Sequence, residues 1–300
     1  MTEMPYSEME DTDIPVINIS KPSDDVARQV LEAASTHGFL FIQNDGVTIP
    51  PEDIEDMFKL SKEFFSQTDE HKSEYAIHSD KAGGINRGWV KMAGESLDPE
   101  GQKILSLLGT ALETPDSSYF ARRHDQSQGP SGTIFRLLYY PSSSDSPTAQ
   151  IRAGAHSDYG SLTLLFRLPG QPGLELFSPS TQTWVSVPVD PTPSTLSTPP
   201  ILVNIGDLLS FWTGGMLKST VHRVTFSGGG ERYSMAYFCH PLDSARLERV
   251  ESRVLDKGDG EKGREELRGQ RKRLGLSEDE IAILTAKEHL DRRLKVTYGL

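Results

Sequence analysis

From about Thr133 to His240 the chain is a succession of short β-rich runs separated by glycine and proline, and this texture restricts the fold more than any other feature. The runs are TIFRLLYY, SLTLLF, GLELF, TWVSV, ILVNI, DLLSFW, STVHRVTF and YSMAYF. Eight such runs predict a sandwich or barrel of antiparallel strands. The stretch PVDPTPSTLSTPP (188–200) is too rich in Pro, Ser and Thr for regular structure and reads as an exposed loop between two strands.

The flanks carry a helical period instead. In SDDVARQVLEAASTHG, Ser23 is a candidate N-cap, Val26, Val30 and Leu31 share a stripe, and Gly38 is a stop. In PPEDIEDMFKLSKEFF, Pro51 suits a first helical position, and Ile54, Met57, Phe58, Phe64 and Phe65 hold the 3.6-residue period that Ser61 interrupts. Between these helices FLFIQNDGV reads as a short buried strand ending in a turn at Asn44-Asp45-Gly46. In the tail, Ser277 and Glu280 form a capping box before IAILTAKEHLDRRL, and the charged run 256–273 reads as a solvated helix or loop. The resulting division is a mixed N-terminal region (1–130) packed on a β core (131–245), followed by a C-terminal helical segment (246–300), all one structural unit.

A chain of 300 residues with 36% hydrophobic and 25% charged residues has ordinary globular composition. Its net charge of −12 argues against nucleic acid or an anionic membrane as the main partner, since both select a Lys/Arg excess. Cys239, the single cysteine, has no intramolecular partner, the first ten residues have no apolar core, and no stretch is apolar over a membrane-spanning length. The expectation is a soluble protein of a reducing compartment, most simply the cytoplasm.

His156 and Asp158 stand two residues apart just before the strand run LTLLF. In extended chain they point to one face. His222 lies within STVHRVTF, another run of the same β region. Two imidazoles and one carboxylate form the 2-His-1-carboxylate set of non-haem Fe(II) oxygenases, which leaves coordination positions open. A structural zinc site would need a fourth ligand, and no further His or Cys is suitably placed. His37, His71, His78, His124 and His289 lie in helical or polar surroundings and read as surface residues, and His240 as a loop residue.

In ERYSMAYF, Arg232 and Ser234 are again two apart on one strand face. An arginine directed into a β-barrel is costly unless it meets an anion, and its planar fork matches a carboxylate. Taken alone, Arg232 is better read as forming a salt bridge to one of the chain's own 43 acidic residues. Joined to the histidines and Asp158, it outlines a pocket with a ferrous ion at one end and an anion clamp deeper in.

GAHSDYGSLTLL (154–165), VNIGD (203–207), STVHRV (219–224) and RYS (232–234), with IPVINIS and THGFLFIQNDGV near the N-terminus and LTAKEHLDRRLKVTYG near the C-terminus, resemble the isopenicillin N synthase-like family of Fe(II)/2-oxoglutarate-dependent dioxygenases, most closely its fungal members. The resemblance covers the whole chain. It implies a mainly β fold with flanking helices around a double-stranded β-helix, or jelly roll. It further implies that His156, Asp158 and His222 hold Fe(II), and that Arg232 and Ser234 bind the distal carboxylate of 2-oxoglutarate. Tyr140, before Pro141, matches a position that in some relatives bonds the other end of the co-substrate. The implied reaction couples O₂ and decarboxylation of 2-oxoglutarate to succinate and CO₂ with attack on a C–H bond of a small organic molecule, as in specialised metabolism. Hydroxylation is the default outcome, desaturation and ring closure its variants.

Two departures from the family pattern stand out. Asp45 replaces the histidine of an Asn-His-Gly turn, a change that suits the turn because Asp also favours such positions. After Lys103 the chain passes directly to ILSLLGTALE, a helix that family members reach several tens of residues later. Two readings compete with the leading one: an iron oxidase of the same family that does not use 2-oxoglutarate, since such members resemble this pattern and also carry an Arg-x-Ser, and a catalytically silent relative, which the missing stretch suggests.

Overall fold

A computed structural model of the chain describes residues 14–75, 98–142, 150–192, 198–226, 230–257, 260–277 and 283–298. In chain order, strand β1 (Val16–Ile17), helix α1 (Asp24–Thr36), β2 (Phe39–Ile42) and helices α2 (Pro51–Phe65), α3 (Asp69–Ser73), α4 (Asp98–Ala111) and α5 (Tyr119–Arg122) precede the β region. That region holds β3 (Ile134–Tyr140), β4 (Gln150–His156), β5 (Leu162–Arg167), β6 (Leu174–Ser178), β7 (Thr183–Ser186), β8 (Ile201–Ile205), helix α6 (Asp207–Trp212), β9 (His222–Phe226) and β10 (Arg232–Cys239). Helices α7 (Arg253–Lys257), α8 (Gly260–Arg273) and α9 (Ala286–Tyr298) follow.

The strands form two sheets, ordered β1-β2-β8-β5-β10-β3 and β4-β9-β6-β7. Every pairing is antiparallel except β1 with β2. From β3 to β10 the chain passes repeatedly from one sheet to the other, which is the jelly roll that the family resemblance implies. The larger sheet also takes in β1 and β2, so the N-terminal part of the chain shares a sheet with the β core.

Alternation along each strand of the larger sheet sends side chains to two different cores. Leu40, Leu164, Val203 and Met235 face the helices and join the larger apolar cluster with Val30 of α1 and Leu108 of α4. Phe39, Phe41 and Leu202 face the smaller sheet, where they meet Leu174, Leu176 and Val224. Polar residues on that inner face are therefore placed between the sheets.

The local signals in the helices hold for α1, whose N-cap Ser23 accepts from the Val26 amide. In α2 the serine that interrupts the apolar stripe, Ser61, is itself buried against the core. At the turn, Asp45 accepts from the Val47 and Thr48 amides, so the aspartate is fully at home there. Those bonds, led by Val47, hold its carboxyl below the usual range.

The structure corrects several expectations. DLLSFW is the helix α6, not a strand; Leu208, Leu209 and Trp212 are buried on it, and a short apolar run does not distinguish the two by period. Gln150–His156 is a strand that the β-rich pattern did not reveal, because alanine, glycine and arginine dilute it and two register shifts interrupt its pairing with β9. Glu280 lies outside the described residues, and the last helix begins only at Ala286. Its capping box is Thr285 and Glu288: the Glu288 amide donates to Thr285 Oγ1, and the Thr285 amide to Glu288 Oε2.

His37, His124 and His289 are buried rather than on the surface, as is His240 in its loop, while His71 is exposed. His78 lies outside the described residues. Burial pushes the imidazoles of His124 and His289 down to about 4 and about 3. An unfolded chain protonates them near pH 6.5, where the folded protein does not. Their contribution to stability is therefore complete above that pH and is lost as the pH falls through the folded values. Urea unfolding at about pH 5 is expected to show a loss of roughly 2 kcal/mol for each imidazole relative to neutral pH. An unchanged midpoint would show that both rings reach water in the native state.

Candidate metal centre

His156 is the last residue of β4 and stands in register opposite His222, the first residue of β9. Their rings lie 4.4 Å apart between centroids. Asp158 follows two residues after the end of β4, in a loop pinned to the start of α6: the Asp207 amide donates to Asp158 O at 2.7 Å, and the Leu208 amide to Gly160 O at 3.1 Å. This approach requires glycine, since a Cβ on Gly206 would stand 2.2 Å from Gly160 O.

Each of the three side chains is tied on one edge and open on the other. His156 Nδ1 donates to Gly154 O at 2.7 Å, and His222 Nδ1 to Thr220 O at 3.1 Å. A carbonyl only accepts, so the proton sits on Nδ1 and the lone pair on Nε2. Asp158 Oδ2 accepts from Thr163 Oγ1 at 2.6 Å and from Asn204 Nδ2 at 2.7 Å. What remains free is Oδ1, 3.7 Å from His222 Nε2 and 3.9 Å from His156 Nε2. All three ligand atoms lie within 4.8 Å of one another, as a single ion would require.

Electrostatics support the same protonation pattern. Burial pushes the Asp158 carboxyl up, but His222 and the bonds from Thr163 and Asn204 outweigh it, leaving the group below its usual range and ionised. Burial lowers His222 against the pull of Asp158, so the imidazole stays neutral and able to ligate.

Thr163 and Asn204 are partners of Asp158 that sequence reasoning missed. They are register partners on β5 and β8, both on the inner face of the larger sheet. Each is a polar residue in an otherwise apolar strand run, and that intrusion was the available signal.

Deeper between the sheets, Arg232 is buried, donates to Ser234 Oγ at 3.1 Å and leaves its Nε without a partner. Among the described residues it has no acidic partner, so none of them forms the salt bridge considered from sequence. Its guanidinium carbon is 5.1 Å from the Tyr140 ring centroid, and the two residues are register partners. Tyr140 is thus at the Arg232 end of the cavity, not at the opposite end as the resemblance suggested. Arg167 adds a second positive charge: burial, with Arg232 beside it, pushes its guanidinium down to about 9. Two buried cations without an acid between them describe a site for an anion.

A further buried cluster braces the centre from outside. Asp207, fully buried, accepts from Ser157 at 3.1 Å, Ser219 at 2.8 Å and Gln270 at 3.1 Å, and pairs with Arg293 at 2.9 Å. Ser157 lies between His156 and Asp158, and Ser219 precedes His222 by three residues. Gln270 belongs to α8 and Arg293 to α9, so the charged C-terminal segment grips the loops that carry the candidate ligands.

The profile of the 2OG-Fe(II) oxygenase superfamily matches residues 131–241, and the family described as non-haem dioxygenase in morphine synthesis N-terminal matches residues 14–133. A UPF0676 protein of Schizosaccharomyces pombe is 30% identical over 96% of this chain and 93% of its own length. The 2-oxoglutarate-dependent dioxygenase traH of Penicillium crustosum is 36% identical over 47% of this chain and 39% of its own. Among solved structures, a full-length Neurospora crassa protein in complex with α-KG and thymine superposes with a TM-score of 0.71 at 23% identity, covering 97% of this chain and 99% of that one, a likeness of fold. The alignment with the yeast protein runs over 334 positions, more than this chain's 300 residues, so several tens of the relative's residues have no counterpart here. Helix α4 nevertheless runs unbroken through Lys103 and Ile104, with Ile104 and Leu105 buried.

Proposed function

The chain belongs to the 2OG-Fe(II) oxygenase superfamily, and from that membership we propose that His156, Asp158 and His222 hold the iron, that Arg232 and Ser234 bind the far carboxylate of 2-oxoglutarate with Tyr140 beside them, and that the substrate is a small organic molecule of specialised metabolism. The chain is thus an oxidoreductase using Fe(II), 2-oxoglutarate and O₂. No helix among the described residues is long and apolar enough to cross a membrane.

The observation that carries the ligand assignment is the convergence of one carboxylate oxygen and two imidazole nitrogens whose opposite edges are all tied to the protein. Three ligands from one side would hold the ion and leave coordination positions open for a co-substrate. When bound, Fe(II) supplies the reaction with O₂ that splits 2-oxoglutarate into succinate and CO₂ and inserts oxygen into a C–H bond. The protein's own contribution is positional. Thr163 and Asn204 fix the Asp158 carboxylate, Gly154 and Thr220 fix the imidazoles, and Arg232 supplies a forked donor that can neutralise a carboxylate in a water-poor cavity. A small organic substrate accords with the fold neighbour that holds thymine.

Adding Fe(II) and then 2-oxoglutarate to metal-free protein without oxygen is expected to give the visible charge-transfer band of a 2-keto acid chelate. Arg232→Met is expected to require about 10- to 100-fold more 2-oxoglutarate for the same band, the loss of a charge-assisted bond of roughly 1.5–3 kcal/mol. Absence of the band from folded wild-type protein would overturn the assignment and favour an iron oxidase that dispenses with 2-oxoglutarate or a silent relative.

A further inference from the structure

Two cavities meet at the candidate metal centre. One contains Arg232, Ser234 and Tyr140; the other, of about 420 Å³, opens toward α9 and contains Arg136 and His240. His156, Asp158 and Phe238 line both, so two of the three candidate ligands stand on the wall between them.

We propose that this second cavity holds the organic substrate by a carboxylate of its own, with Arg136 as the anion anchor and His240 as a hydrogen-bonding partner. The inference rests on the reading of the iron centre given above and adds to it the chemical class of the substrate.

Arg136 reaches the cavity because β3 alternates: Arg136, Leu138 and Tyr140 share the inner face. Its register partner on β10 is Ala236, four residues from Arg232 and so about 13 Å further along the barrel. The co-substrate's anion clamp and this second arginine are thereby separated along the sheet by roughly the length of a small molecule. The Arg136 guanidinium sits over the Phe238 ring at 5.6 Å from its centroid, which orients the fork without neutralising it.

Among the described residues, Arg136 has neither an acidic partner nor a hydrogen-bond acceptor. The chain carries 43 acidic residues against 31 basic ones, so an uncommitted guanidinium in a cavity is not for want of acids. The acids of this cavity are engaged elsewhere. Lys287 donates to both oxygens of Asp291, at 2.9 and 2.6 Å, and has Asp243 beside it. A half-buried, partly desolvated guanidinium gains most from a ligand that offers two parallel oxygens, which a carboxylate does.

His240 is held in a slot made by absent side chains. A Cβ on Gly160 would stand 2.8 Å from its Nε2, and one on Gly132 3.3 Å from its Nδ1. The ring is buried from bulk water yet lines the cavity, and neither nitrogen has a hydrogen-bond partner among the described residues. It can therefore offer a donor or an acceptor to a bound molecule. Ile134, Phe238, Leu290 and Leu294 supply the apolar part of the lining and suit an apolar body. The substrate described by these walls has a compact apolar frame, a carboxylate at one end, and a C–H bond held toward the iron.

The test uses benzoate, phenylacetate and cinnamate with their methyl esters as probes, titrated calorimetrically into the protein both metal-free and loaded with Fe(II) and saturating 2-oxoglutarate without oxygen. At least one acid is expected to bind at least tenfold more tightly than its ester in both forms. Arg136→Met should abolish that preference by weakening the acid alone, Arg136→Lys should keep part of it, and His240→Leu should weaken acid and ester alike. The chelate band serves as the folding control for the loaded variants. Esters binding as tightly as acids, no acid binding at millimolar concentration, or a preference that survives Arg136→Met would overturn the proposal. Loss of the band in wild type with the acid preference intact in the metal-free form would instead fail the iron assignment and leave the anion anchor standing.

Discussion

Arg293→Met is expected to cost about 3–5 kcal/mol of stability, because it leaves the Asp207 carboxylate charged, fully buried and stripped of its closest cation. Arg273, 3.6 Å from the same carboxylate and partly exposed, does not replace it. The double variant Asp207→Asn with Arg293→Met should recover much of the loss, since it removes the uncompensated charge while the serine and glutamine neighbours can still bond an amide. Urea unfolding of the two single variants and the double variant measures this directly. The network also predicts an effect that stability alone does not produce. Ser157 and Ser219 connect Asp207 to the segments bearing His156, Asp158 and His222, so Fe(II) affinity should fall about 10- to 100-fold in Asp207→Ala under conditions where the protein remains folded. Unchanged iron affinity in that folded variant would reduce the cluster to a brace for the C-terminal helices.

This cluster also shows where the sequence stops being informative. His156, His222 and the Arg232/Ser234 pair were legible because each lies in a strand whose period of two sets side-chain direction locally, and Asp158 because it follows His156 by two residues, although the chain has by then left β4 for a loop. Asp207 was visible only as part of a resemblance, because its partners arrive from positions 157, 219, 270 and 293, and no local pattern reports such distances along the chain. Thr163 and Asn204 meet Asp158 through the pairing of β5 with β8, which a single sequence does not state. The same limit explains the buried histidines. His124 bonds Phe120 O within its own turn, a local fact, but also Ser161 Oγ across the molecule, and only the second contact reveals that the ring is interior. The α6 run failed for a different reason: it is six residues long and buried on nearly every side, its polar Asp207 and Ser210 included, so it carries no period to read. Its identity as a helix follows from Gly206 at the N-cap and from packing against α8, where Gly215 lies so near Gly263 O that a Cβ would stand 2.3 Å away.

His222→Ala should eliminate succinate formation, and the contrast with Thr163→Val separates ligand loss from ligand misplacement. Removing His222 leaves one imidazole and one carboxylate, too few to fix an iron on a single face. The affinity loss should therefore exceed the roughly 10- to 100-fold typical of losing an outer partner. The fold should survive, because apart from the other two candidate ligands, His156 and Asp158, the ring's aromatic and polar contacts are an edge-on approach to Phe39 at 5.7 Å and one bond to Thr220 O. Thr163→Val keeps the side-chain volume and all three ligands, and deletes one of the two bonds that hold Asp158 Oδ2. Asn204 still holds that oxygen, so iron affinity should fall within the outer-partner range while turnover persists at raised Fe(II). Titrating Fe(II) against succinate yield in both variants decides the matter: rescue of Thr163→Val by excess iron together with none in His222→Ala is the expected pattern. Equal rescue of both would mean that His222 is not a ligand and that its place opposite His156 serves only the packing between the sheets.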